Sequence, residues 1–140
     1  DNQEPTTPQR TTMSIHAKGP FTVTLTPQQS APDAPIAHML LNKEFRGDLE
    51  AIAHGEMMAA SEPLTGAGVY VALDRVTGTL HGKSGSFLMA HRGIRNADGQ
   101  ELSIVIVPGS GTGQLTGITG TVGIEIVGKE HFYTMDYEMA

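Results

Sequence analysis

Apolar and polar residues alternate with a period of two along most of this chain, and turn residues interrupt the alternation at short, even intervals. Residues 13–25 (MSIHAKGPFTVTL) put Met13, Ile15, Ala17, Phe21, Val23 and Leu25 on one face and Ser14, His16, Lys18, Thr22 and Thr24 on the other, as a half-buried strand does. Gly19 and Pro20 inside this run predict a bulge or a bend. A proline-rich loop (PQQSAPDAP) follows, then two extended runs over residues 36–45 and 47–60, divided at Arg46. Beyond SEPLTGAG come runs over 69–80 and 84–91, joined across HGK; NADG is a turn with Asp-Gly in it; LSIVIV, residues 102–107, is strongly β-branched. Residues 117–127 and 131–139 close the chain as a hairpin across GKE. No window of a dozen residues carries a 3.6 period, and glycines destabilise helix interiors. The pattern predicts an all-β protein of eight strands, a meander closed into a barrel or folded into a sandwich.

The run VPGSGTGQLTGITG, residues 107–120, places glycines at Gly109, Gly111, Gly113, Gly117 and Gly120. A dinucleotide-binding fingerprint needs a helix after its glycine turn, to receive the pyrophosphate at the helix N-terminus. Here ITGTVGIEIV follows, which is strand. Gly82-Lys83-Ser84 likewise resembles the end of a P-loop, but the place of its upstream glycine holds Thr77, and SGSFLMAH after it is again strand. The glycines, with Gly78, Gly82 and Gly85, therefore read as architecture: bends, bulges and close backbone approach in a small, sharply coiled barrel.

A chain of 140 residues is one ordinary domain with one core. Nine Lys plus Arg against fifteen Asp plus Glu give a formal charge of -6, which argues against a nucleic-acid partner. No apolar run is long enough for a membrane-spanning helix, so no membrane partner is expected. The absence of cysteine removes disulfides, thiolate metal sites and a cysteine nucleophile. The opening DNQEPTTPQR fits the mature end of an exported or periplasmic protein after loss of a signal peptide. A start near Met13, with foreign residues before it and a cytoplasmic location, fits as well. Residues 1–11 are read as a flexible tail and residues 12–140 as the barrel.

The densest polar stretch, DLEAIAHGE, sets Asp48, Glu50, His54 and Glu56 on one strand face with Ile52, and Leu49, Ala51, Ala53 and Met57 on the other. Facing inward, Glu50 and His54 would be acid/base candidates, since a carboxylate tunes a neighbouring imidazole. Facing outward they form a solvated strand face, the reading favoured because unpaired buried carboxylates are costly. In VYVALDRV, Tyr70, Ala72 and Asp74 share a face, which suits either a ligand space with Asp74 as a catalytic candidate or a buried cross-strand hydrogen bond. Phe87, Met89 and His91 share a face of the next strand, as do His131, Tyr133, Met135 and Tyr137 of the last. Tyr70, Phe87, Met89, His91, Tyr133 and Tyr137 make an adaptable apolar lining with polar tips, the candidate ligand site. The six histidines are scattered and His54-Gly-Glu56 is the one close pair, so neither metal nor cofactor is expected. Neither Gly85-Ser86-Phe87 nor Gly109-Ser110-Gly111 forms the nucleophile elbow of a serine hydrolase.

VTGTLHGKSGSFLMAHRG, VPGSGTGQLTGITGTVGIEI, YTMDYEM and FRGDLEA together resemble a bacterial family of proteins of unknown function with an allene oxide cyclase-like barrel, over residues 12–138. Through Gly111-Thr112-Gly113, Gly117, Gly120 and the last strand the likeness extends to plant allene oxide cyclases and dirigent proteins. The resemblance implies a single eight-stranded antiparallel β-barrel, apolar ligands held in or at its mouth, and homo-oligomers. The glutamate, asparagine and proline with which the cyclases act have no counterparts in the first strands, so no catalytic residue carries over. The expected function is the binding of a small apolar ligand. A cofactor-free isomerase or cyclase using Glu50, His54 and Asp74 is the alternative, and a filled barrel acting through an oligomer surface a third.

Overall fold

The computed structural model describes residues 14–29 and 33–140. The expected tail, Met13 and the middle of the proline-rich loop lie outside them. Eight strands run β1 (Ile15–Pro27), β2 (Ala37–Phe45), β3 (Leu49–Ser61), β4 (Gly68–Leu80), β5 (Lys83–Asn96), β6 (Gly99–Ile106), β7 (Thr119–Val127) and β8 (Glu130–Glu138). Each pairs antiparallel with the next, and β8 pairs with β1 to close the barrel. The expected barrel is the observed one.

The registers set the width of the interior. A path of directly paired residues leaves β1 at Ile15 and passes Tyr137, Gly120, Ile106, Met89, Asp74, Gly55 and Leu41. It returns to β1 at Leu25, not at Ile15. That stagger tilts the strands steeply, and an eight-stranded barrel of this kind encloses just enough room for side chains or one small ligand. Ala17, Phe21, Leu41, Phe45, Leu49, Ala53, Val76, Phe87, Met89, Ile104, Tyr133 and Met135 fill it.

Gly19 and Pro20 do not make a bulge. The pairing of β1 with β8 and then with β2 runs without an extra residue, and Phe21 is the point where β1 passes from one partner to the other. The NADG turn joins longer strands than the pattern showed, because Asn96 and Gly99 already pair across it.

One end of the barrel is plugged. After β6 the chain runs beside the start of β5, with the Val107 and Thr112 amides donating to the Leu88 and Ser86 carbonyls at 2.9 and 2.8 Å. A 3-10 turn (Gly113–Leu115) then drives Leu115 and Ile118 into the core, where both are fully buried. The glycine-rich run is this plug, not a coiled strand, and β7 starts only at Thr119. Gly113 takes φ +59°, and a Cβ on Gly85 would stand 2.1 Å from the Thr112 carbonyl oxygen. Two tyrosines pin the same end. The Leu49 amide donates to the Tyr133 hydroxyl at 2.8 Å, which itself donates to the Arg46 carbonyl at 2.7 Å, and the Tyr137 hydroxyl lies 2.5 Å from His81 Nδ1.

The opposite end is open and uneven. β1 runs on to Pro27 although its pairing with β8 stops at Phe21 and His131, and β6 meets β7 only over Ile104–Ile106. The rim is therefore low at β7 and β8 and high around β1 to β6.

Candidate functional site

Strand parity delivers three ionisable side chains to the barrel interior. On β2 the odd positions Leu41, Lys43 and Phe45 face in; on β4 the even positions Ala72, Asp74 and Val76; on β5 the odd positions Phe87, Met89 and His91. Asp74 is 0% exposed, His91 6% and Lys43 8%. Asp74 Oδ2 lies 2.6 Å from Lys43 Nζ and 2.8 Å from His91 Nε2. Burial alone would raise the Asp74 pKa, but the hydrogen bond from His91 and the charge and hydrogen bond of Lys43 outweigh it and hold the carboxyl below its ordinary value. Asp74 is thus a carboxylate, and the short contact with His91 requires a proton on Nε2. The 3.4 Å contact between Lys43 Nζ and His91 Nε2 then sets donor against donor. Among the described residues the Lys43 ammonium therefore has one acceptor, Asp74, which takes one of its three N–H groups.

Asp74 Oδ1 is sealed and has no hydrogen-bond partner among the described residues. It rests on the backbone of β3, where a Cβ on Gly55 would stand 2.1 Å from it. Gly55 therefore makes the space in which the carboxylate sits, and the sealed oxygen faces wall rather than cavity.

Above this cluster, at the open end, is a cavity of about 370 Å³ lined by Met39, Met57, Ala59, Tyr70, Gly93 and Arg95 among others. It adjoins the cluster through the ladder, since Met39 pairs with Met57, Met57 with Ala72 and Ala72 with His91. The Tyr70 ring lies across Gly93, where a Cβ would meet it at 2.1 Å. Burial first, and the Asp74 charge second, raise the Tyr70 pKa, so its hydroxyl keeps its proton. Below the mouth a void of about 10 Å³ is lined by Lys43 and His91 with Phe21, Phe45, Ile124 and Tyr133, enough for one oxygen atom or water. Two larger depressions, of about 700 and 550 Å³, lie across the outsides of β3 to β5 and beside β1 and β8.

The sequence-derived candidates fall into three groups. Asp74, Tyr70, Met89 and His91 come together at and below the mouth. Phe87, Tyr133 and Tyr137 also point inward; the hydroxyls of both tyrosines are engaged at the plugged end, while Tyr133 also lines the small void beside Lys43 and His91. Glu50 and His54 are not brought to Asp74: the odd residues of β3 face in, which leaves these two exposed outside. There Glu50 Oε1 accepts the Gly47 amide at 3.2 Å and His54 Nδ1 lies 2.6 Å from Asn42 Oδ1, the solvated face the pattern favoured. The missed residue is Lys43. Its signal was present in HMLLNKEF, where a lysine holds the inward phase between Leu41 and Phe45. Among the described residues no group of three His, Asp or Glu side chains is placed to hold a metal ion.

The model of a family described as protein of unknown function (DUF3224) matches residues 17–137. The chain belongs to the DUF3224 family. A crystal structure of a DUF3224 protein of unknown function from Shewanella oneidensis MR-1 is similar, at 37% identity with a TM-score of 0.85, covering 91% of this chain and 98% of that one. No curated protein matches. The DUF3224 match takes in the plug, the mouth and all three members of the buried cluster.

Proposed function

We propose that this DUF3224 barrel binds a small, largely apolar molecule at its open end, with an oxygen of the ligand directed to Tyr70 and Lys43. The supporting observation is the contrast between the two ends. One is plugged by Leu115 and Ile118, while the other keeps about 370 Å³ walled by methionine and alanine, with a Tyr70 hydroxyl that has no hydrogen-bond partner among the described residues. Such a cavity, mostly apolar with a few convergent polar groups, is the usual form of a small-molecule site. Kinship with allene oxide cyclase and dirigent barrels is part of the proposal, as a shared way of holding an apolar ligand at a barrel mouth, without any transferred catalytic residue. No cofactor is required.

Native mass spectrometry of protein purified gently from its source tests the reading. A bound apolar compound retained by the wild type and lost from Ala59→Trp, which fills the mouth, is the expected result. Retention by both proteins would overturn it. A second reading rests on a separate observation. Met58, Val71 and Leu73 stand exposed on adjoining outer positions of β3 and β4, beside Leu88 and Ala90 of β5. This patch fits a second copy of the chain, and a Leu73→Lys protein that sediments at lower mass than the wild type would support a homo-oligomer.

A further inference from the structure

The buried cluster holds its groups in the order that proton transfer needs. Asp74 fixes the proton of His91 on Nε2 at 2.8 Å and so leaves the lone pair on Nδ1. Among the described residues Asp74 Oδ1 is the only side-chain polar atom both sealed from solvent and unpartnered. Among the described residues His91 Nδ1 takes no hydrogen-bond partner, and the His91 side chain keeps 4% of its surface exposed, so the basic nitrogen is free to accept a proton. Lys43 lines the same small void, whose remaining walls are largely apolar, and among the described residues only one of its three N–H groups has an acceptor, Asp74. A buried cation aimed into an apolar void stabilises negative charge that develops on an oxygen there far more than it would in water.

Resting on the binding site just described, we propose that its ligand is an enolisable carbonyl compound and that the barrel catalyses proton transfer on it. The void of about 10 Å³ admits the carbonyl oxygen, while the body of the molecule stays in the mouth. Unbranched Met39 and Met57 can rearrange to let that head pass. In the forward step the C–H bond next to the carbonyl breaks and its proton goes to His91 Nδ1. The electron pair becomes the C=C bond of an enolate, and the carbonyl π pair moves onto the oxygen, held by the Lys43 ammonium. The imidazolium so formed faces Asp74. Once Nδ1 has traded that proton for one from solvent, reprotonation of the same carbon gives exchange, and protonation of a conjugated carbon further along shifts a double bond. Charge and atoms balance with no oxidant or cofactor.

The test uses α-tetralone, an apolar ketone with one enolisable CH₂ that fits the mouth, in D₂O with the whole protein. Saturation-transfer NMR reads binding, and loss of the α-proton signal reads exchange. The wild type is expected to bind α-tetralone and accelerate exchange saturably. His91→Gln keeps an N–H for Asp74 but has no base. It should bind within about threefold of the wild type and exchange about 10²-fold or more slowly, the usual worth of a positioned base. Binding without exchange above the buffer rate would overturn the proton-transfer proposal and leave the binding site standing. No binding at all would overturn both. Exchange by His91→Gln at the wild-type rate would overturn the role of His91; should that variant fail to fold, Lys43→Met decides, and exchange by it at the wild-type rate would overturn the proposal.

Discussion

Replacing Asp74 by asparagine keeps the shape of the side chain and deletes its charge, which leaves the Lys43 ammonium 8% exposed with no counter-ion. At 2.6 Å and an effective permittivity of about 20, the attraction between the two charges is about 6 kcal/mol. Much of that offsets the cost of taking both out of water, so the pair itself adds little net stability. Breaking it is different, because the desolvation cost of the surviving charge remains: about 3–5 kcal/mol for one partner removed. Unfolding entropy of about 2.1 cal/mol/K per residue amounts to about 0.3 kcal/mol/K for 140 residues. Asp74→Asn should therefore lower Tm by roughly 10–17 °C. Removing the stranded charge as well, in Lys43→Met/Asp74→Asn, should recover at least half of the loss. Urea unfolding followed by circular dichroism, with calorimetry for Tm, gives all the values. The reasoning fails if Asp74→Asn lies within about 0.5 kcal/mol of the wild type, the range of an ordinary surface change. It fails equally if the double variant loses as much as the two single variants added together.

Three further outcomes follow from the same contacts. The Asp74 carboxyl is held below its ordinary value of 3.8 by His91 and Lys43 despite its burial. Its contribution is therefore present in full above that value and lost as pH falls through the lower folded value. Acid unfolding of the wild type should accordingly be steeper below pH 3.8 than that of Asp74→Asn. Burial raises the pKa of all three tyrosines, Tyr70, Tyr133 and Tyr137, above 10.0. The stability they confer is complete below pH 10 and lost as pH rises through the folded values, so a phenolate absorbance step at pH 10.0 in the folded protein would count against their burial. Gly85→Ala sets a Cβ 2.1 Å from the Thr112 carbonyl and should cost about 1–3 kcal/mol, as overpacking does. Faster hydrogen exchange at the Thr112 amide is the expected sign that the plug has shifted, and an unchanged rate there would mean that β5 yields instead.

How far the site was legible depends on which physical signal each part left in the sequence. Strand number and phase follow from alternation, because a residue whose neighbours two positions away are buried must itself face the core. That rule places Tyr70, Asp74, Met89 and His91 inside, and Glu50 and His54 outside with Ile52. The same rule places Lys43 between Leu41 and Phe45, where a charged side chain looks like an error of phase until its counter-ion is known. The counter-ion lies on β4, beyond the intervening β3, whose small Ala53 and Gly55 stand opposite Lys43 and Asp74, so no local pattern announces the pair. The glycine run misleads for a related reason. Glycine marks close backbone approach without saying what approaches, and here Thr112 passes over Gly85 as a plug rather than as a neighbouring strand. A plug at one end leaves the other end open, and on the binding proposal Lys43, Asp74 and His91 lie below the entrance. Lys43→Met/Asp74→Asn therefore also separates two accounts of the cluster. A purely structural pair predicts recovered stability with ligand binding unchanged. A functional one predicts recovered stability with binding or proton transfer lost, the outcome expected here.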